Sequence, residues 1–210
     1  MVQKSGIGSH TLPNKDETDD WITPKYIIDE LGPFELDPCQ SLTQPWPCAV
    51  RGYTIRDNGL AKNWPRREMV YLNAPYSNAE PFMQRLAEHK NGIALLFGRT
   101  ETAMFRSHIW QEADAVLFVA GRLHFCYPDP LDPVRCLTHD HVWTGRPEND
   151  KKLWCPHCGT AKGNSGGPSC IVAYGGKAVQ RLRDRIRRPE CRIRGAFVTA
   201  WEYFDGVTHG

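Results

Sequence analysis

Apolar residues along the chain come in short blocks separated by polar and turn-forming segments. The runs at 34–37, 69–73, 92–97, 115–119 and 170–174 are continuous and brief, which predicts buried strands. Stretches near 24–31, 79–90 and 101–111 have helical character and lie between them. Strands alternating with helices predict an α/β sheet with helices on both faces. Asn78 stands where a cap is needed ahead of the 79–90 helix, with Pro81 tolerated in its first turn. Residues 1–20 hold Ser, Asn, Lys and Asp with little apolar content, which predicts a mobile segment. Beyond residue 189, Ile193, Phe197, Val198, Trp201, Tyr203 and Phe204 are too apolar for a loose tail, so this end is expected to pack on the domain. No internal repeat is apparent.

Composition narrows the class. A chain of 210 residues can bury one core and carry an insertion, whereas two full domains would be a squeeze. No apolar stretch is long enough to cross a bilayer, and no apolar signal core follows Lys4. The expectation is a soluble, cytoplasmic protein with no membrane association and no obligate protein partner. Eight cysteines in such a setting are thiols or metal ligands sooner than disulfides. The formal charge of +2 announces no polyanion, but its distribution does. Residues 177–194 hold eight basic residues against two acidic, leaving 18 against 22 elsewhere. That block has the footprint of a phosphate-contacting surface, or alternatively of a solvated helix face.

Candidate chemistry sits directly after the 69–72 run, in Asn73-Ala74-Pro75-Tyr76. The amino group of a base has its lone pair delocalised into the ring, so a site acting on it needs acceptors for both N–H bonds and a flat surface for the ring. The Asn73 side-chain carbonyl and the Ala74 backbone carbonyl supply acceptors, Pro75 stiffens the turn, and Tyr76 offers an aromatic face. The tetrapeptide is also an acceptable strand-ending turn in its own right. Elsewhere, Cys136-x2-His139 followed by Cys155-Pro156-His157-Cys158-Gly159 has zinc-ligand spacing. A structural zinc held by Cys136, His139, Cys155 and Cys158, with His141, His157 or Cys170 as substitutes, would explain how a polar insertion folds. The other possibility is a loose, reduced insertion.

The tetrapeptide matches the Asn-x-Pro-Tyr signature of amino-group methyltransferases. Around it stand Trp21-Ile22-Thr23-Pro24, Phe34-Glu35-Leu36-Asp37-Pro38-Cys39, Asp57-Asn58-Gly59-Leu60, Arg99-Thr100-Glu101-Thr102 and Gly121-Arg122-Leu123-His124-Phe125. In this order and spacing, over residues 16 to 127 and 168 to 175, the chain resembles the phage-type DNA N6-adenine methyltransferases of the Dam family. The resemblance implies a Rossmann-like class I S-adenosylmethionine-dependent methyltransferase sheet over 21–127 and 168–176; the ligand spacing adds a small zinc-binding insertion at 128–167, and the charge block and apolar end a basic, apolar segment at 177–210.

It further implies methyl transfer to the N6 of a flipped-out adenine in double-stranded DNA, inside a bacterial host cell and encoded by a phage or prophage. Asn73, Ala74, Pro75 and Tyr76 become the catalytic set. Thr23 and Pro24 border the methionine part of the cofactor, and Asp37 and Pro38 close over it, although Asp37 also suits a helix cap. Asp57 is either a cofactor ligand at the end of a second strand or a turn residue. Phe125 falls near the flipped base or in the core, and Arg99 on phosphate, on the active-site turn or in a salt bridge. The Gly-x-Gly loop of many methyltransferases is missing, and Ala74 replaces the commoner Pro. An RNA adenine or protein glutamine substrate, and a catalytically silent zinc DNA-binding module, remain as alternatives.

Overall fold

The structure is a computed structural model that describes residues 22–42, 46–127, 144–145, 153–154, 161–164 and 167–202, with backbone alone for 124–127, 144–145, 153–154 and 161–164. Residues 1–20, expected to be mobile, lie outside it. In chain order the described elements begin with α1 (Lys25–Leu31), β1 (Leu36–Asp37), β2 (Arg51–Gly52), β3 (Val70–Leu72), a single 3-10 turn at Tyr76–Asn78, α2 (Ala79–His89) and β4 (Gly92–Phe97). Next come α3 (Ala103–Phe105), running on into a π-helical turn at Arg106–Trp110, and β5 (Ala115–Val119). Four strands of a second sheet follow, β6 (His124–Tyr127), β7 (Thr144–Gly145), β8 (Leu153–Trp154) and β9 (Ala161–Asn164). β10 (Ser169–Tyr174), α4 (Gly176–Ile186) and β11 (Gly195–Val198) end the series.

The main sheet has seven strands in the order β11-β5-β10-β4-β3-β1-β2. β2, β1, β3 and β4 are mutually parallel. β10 runs antiparallel between β4 and β5, so β4 and β5 point the same way, and β11 closes the far edge antiparallel to β5. The five apolar runs read from the sequence are all strands of this sheet. β4 and β10 are apolar without alternation because each has an apolar layer on both sides. Ile93, Leu95, Ile171 and Ala173 face one layer, together with Ile27, Ile28 and Leu31 of α1 and Ala178 and Leu182 of α4. Ala94, Leu96, Cys170 and Val172 face the other, with Phe82, Met83 and Leu86 of α2 and Phe105 and Ile109 of the α3 region. Helices therefore cover both faces, as the alternation of elements predicts. No described helix is long and apolar enough to cross a membrane.

One detail departs from expectation, and a second bears on the two readings of Asp57. Asn78 occupies the N-cap position of α2, but its side chain makes no capping hydrogen bond. Its N–H instead donates to the Pro75 carbonyl at 3.0 Å, closing the 3-10 turn. The second strand ends at Gly52, so Asp57 lies in the loop beyond it and not at a strand end.

The chain leaves β1 for β2 on one side, then returns to form β3 on the other side of β1. This reversal is the place where open α/β sheets bind ligands, in the crevice beyond the carboxyl ends of their strands. His124–Tyr127 does not belong to this sheet. It pairs with β9 in a second, four-stranded sheet of order β6-β9-β8-β7.

Candidate active site at the strand carboxyl ends

β1 is short, yet it delivers a carboxylate into the interior. Asp37 is only 3% exposed. It accepts the Cys39 N–H at 2.9 Å and a hydrogen bond from the Cys48 thiol. Burial raises its carboxyl from the ordinary range to about 7, against the pull of those two donors. Burial and the adjoining Asp37 also push the Cys48 thiol up. The hydroxyls of Thr23 and Tyr71 share a hydrogen bond of 2.6 Å, and the Trp46 indole N–H donates to the Thr23 carbonyl at 3.1 Å. Burial lifts the Tyr71 phenol well above its usual range, with Cys48, Asp37 and Tyr76 adding to the effect and Thr23 opposing it. Thr23, Tyr71, Cys48 and Asp37 thus form one buried polar group spanning the segment before α1, β3 and the loops around β1.

Asn73 follows β3 on the neighbouring strand and is half-buried. Ala74 is buried in the layer beneath α2. Tyr76 lies on the ring of Phe97, the last residue of β4, with centroids 4.2 Å apart and planes within 6°. Beyond Phe97, the Gly98 N–H donates to the Pro168 carbonyl at 2.8 Å. The Arg99–Thr102 run forms a capped turn, in which the Arg99 carbonyl accepts from the Thr102 N–H and hydroxyl and Thr102 Oγ1 accepts the Phe105 N–H at 3.2 Å. Because β1, β3 and β4 are parallel, Asp37, Asn73–Tyr76 and Phe97–Thr102 share one edge of the sheet.

The Asp57 carboxylate is exposed and accepts the Thr54 N–H at 2.9 Å and the Thr54 hydroxyl at 2.8 Å, which together lower its pKa. It is thus built into a turn, with Asn58 in the left-handed region at φ 54°. That turn still reaches the loop after β1, because Gly59 packs so tightly on Pro38 that a Cβ there would overlap the Pro38 carbonyl oxygen. The backbone of Phe125 lies in β6, and its side chain is outside the described residues. Cys136, His139, Cys155 and Cys158, with the substitutes His141 and His157, also lie outside them. Cys170, the remaining substitute ligand, is instead a core thiol of β10, fully buried and pushed up by burial to about 12. Among the described residues no group of three or more His, Cys, Asp or Glu could hold a metal.

The basic segment divides in two. Arg181 donates to the Pro33 carbonyl and Arg185 to the Gly32 carbonyl, the latter at 2.8 Å, tying α4 to the end of α1. Arg192 reaches Glu30 at 3.2 Å and lies over the Tyr26 ring, and Arg194 binds backbone carbonyls of its own loop. Lys177, Arg187 and Arg188 are exposed. Sequence reasoning missed Tyr71, Cys48 and Phe97. Tyr71 was hidden inside an apolar run, and the signal for Phe97 was an aromatic at the end of a strand.

Fold and site define an open α/β protein with a polar site at the carboxyl ends of parallel strands, beside a reversal of strand order. The chain belongs to the DNA N-6-adenine-methyltransferase (Dam) family, whose model matches residues 8–138. A DNA N-6-adenine-methyltransferase of Escherichia phage T1 is 26% identical over 110 residues, which is 49% of this chain and 45% of that protein. The matched stretch therefore spans less than half of that relative's length. No solved structure matches.

Proposed function

We propose that the protein transfers a methyl group from S-adenosylmethionine to the N6 amino group of adenine in double-stranded DNA, on a class I methyltransferase sheet. One observation carries this reading: the Asn73–Tyr76 turn stands at the carboxyl end of β3, next to the end of β1 where the buried carboxylate of Asp37 lies. The donor set fits the cofactor. Among the described residues the Asp37 carboxylate takes hydrogen bonds from the Cys39 N–H and the Cys48 thiol, which do not offset its burial, and the ammonium and ribose hydroxyls of S-adenosylmethionine are donors that would. Asp37, Pro38, Thr23 and Pro24 would hold it, with the 57–59 turn packed against Pro38 from outside. When bound, the group supplies a methyl on a positively charged sulfur.

The residues of the chain then do the rest. Asn73 and the Ala74 carbonyl accept the two amino N–H bonds and draw density toward the nitrogen as it becomes the nucleophile. Tyr76 stacks on the adenine ring. Extrusion from the duplex costs about a few kcal/mol, and base–aromatic stacking at about 1–3 kcal/mol offsets much of it. The thiols beside the site are held protonated, since burial raises both Cys39 and Cys48. Neither suits a covalent attack on a cytosine ring. Arg99 would contact phosphate or the active-site turn, and Phe125 the extruded base. A structural zinc on Cys136, His139, Cys155 and Cys158 would shape a recognition surface and take no part in chemistry.

The test is incubation with methyl-labelled S-adenosylmethionine and DNA, RNA or protein, followed by nucleoside analysis. N6-methyladenine in DNA is expected. Label confined to RNA or protein would overturn the substrate, and failure to bind or use the cofactor would overturn the enzyme.

A further inference from the structure

We propose that Phe97 is a positioning residue that sets the plane of Tyr76 and thereby the plane of the target base; this rests on the function proposed above. The pairing of the two rings differs from that of other aromatic contacts in the molecule. Phe34 and Tyr71 meet at 45°, Phe105 and Trp110 at 64°, and Trp110 and Trp201 at 75°, the tilted and edge-on arrangements of an apolar core. Tyr76 and Phe97 are near-parallel at 4.2 Å. Phe97 is also half-buried at the rim, where it would contribute less to the core than the fully enclosed Leu95 and Leu96 before it.

The two partners are held very differently. Tyr76 belongs to a three-residue turn, so its ring plane depends on what it leans against. Phe97 is fixed on three sides. Its backbone pairs with Ser169 of β10, the next residue is bonded to Pro168, and the Gly167 backbone lies close beside its ring. Those last contacts come from the stem by which the chain returns from the 128–167 insertion. Phe97 is therefore the ring through which the returning stem of the insertion meets the active-site turn. A base stacked on Tyr76 takes the plane that Phe97 dictates, and the amino group's alignment with Asn73 follows from it.

The consequence is specific to the chemical step. Phe97→Leu should lower single-turnover kcat on adenine-containing duplex about three- to tenfold, the span of an aromatic pairing, with the dissociation constant for S-adenosylmethionine unchanged. Phe97→Tyr should restore the rate, because the ring is kept. In a Tyr76→Ala background the Phe97→Leu change should alter kcat by less than about twofold, because its effect passes through Tyr76. A merely structural role would lower the rate equally in both backgrounds and lower the melting temperature with it. Equal losses in both backgrounds, an unchanged rate for Phe97→Leu, or a Phe97→Tyr rate as low as that of Phe97→Leu would each overturn the proposal while leaving the function intact. Absence of N6-methyladenine with the wild-type protein would overturn both.

Discussion

Asp37 is a carboxyl group kept where its charge is poorly solvated, and this gives it a measurable titration. Between the ordinary carboxyl value of 3.8 and about 7, the unfolded chain has released the Asp37 proton while the folded chain still holds it. Stability contributed by this residue is thus full below the lower value and falls as pH rises through the window, by at most about 1.4 kcal/mol per unit. Asp37→Asn should remove that slope, as urea melts at pH 5 and pH 7 would register. Cofactor binding is expected to draw on the ionised form, so its affinity should rise between pH 5.5 and 7 with proton release, seen by calorimetry in two buffers of different ionisation enthalpy. At the base, Asn73→Ala should abolish methylation and leave cofactor affinity largely intact; near-normal turnover would sink the assignment. Tyr76→Ala should lose more activity than Tyr76→Phe, since stacking uses the ring. Asp37 and Asn73 were legible as candidates because chemistry restricts which residue types could serve there. Tyr71 and Cys48 were not, since a buried hydroxyl and thiol in apolar surroundings read as packing until their partners, far off in sequence, are brought alongside.

At the scale of elements, the long apolar runs revealed themselves and the edges did not. β4 and β10 are readable because a strand enclosed on both faces must be apolar throughout. β2 is two residues long and half-buried, so Arg51–Gly52 carries no pattern at all. β11 begins with two exposed residues, and its strand character comes from pairing with β5 and not from its own sequence. Basicity in α4 was visible, whereas the division of labour among its arginines depends on Gly32 and Pro33, about 150 positions away. Neutralising Arg181 and Arg185 should therefore lower stability, read as a fall in melting temperature. Neutralising Lys177, Arg187 and Arg188 should instead weaken binding to any duplex and flatten its salt dependence by about 0.9 per lost phosphate contact. An unchanged slope in the second variant would place the phosphate grip elsewhere. The 57–59 turn offers a separate check. Gly59→Ala drives a methyl group into the Pro38 carbonyl, so a destabilisation of about 1–3 kcal/mol and weaker cofactor binding are expected together in thermal and binding measurements.

Across the whole molecule, the seven-stranded sheet is assembled from distant parts of the chain. The family match ends at residue 138, yet β10, at residues 169–174, fills the gap between β4 and β5. Until it arrives, two apolar strands in the middle of the sheet lack the partner that each needs on its inner edge. On the ribosome, the first 138 residues emerge with these edges open, and the insertion must be made before they can be sealed. Pairings of such long sequence separation form slowly, and open apolar edges invite pairing with other chains. A fragment ending at residue 138 should consequently aggregate when expressed, despite containing every residue of the Asn73–Tyr76 turn. Supplying residues 167–202 in trans should recover soluble material. Asp37 and the Asn73–Tyr76 turn precede residues 128–167, but the sheet that carries them is finished only by the strand that follows, so the candidate site cannot be complete while that segment is still being synthesised.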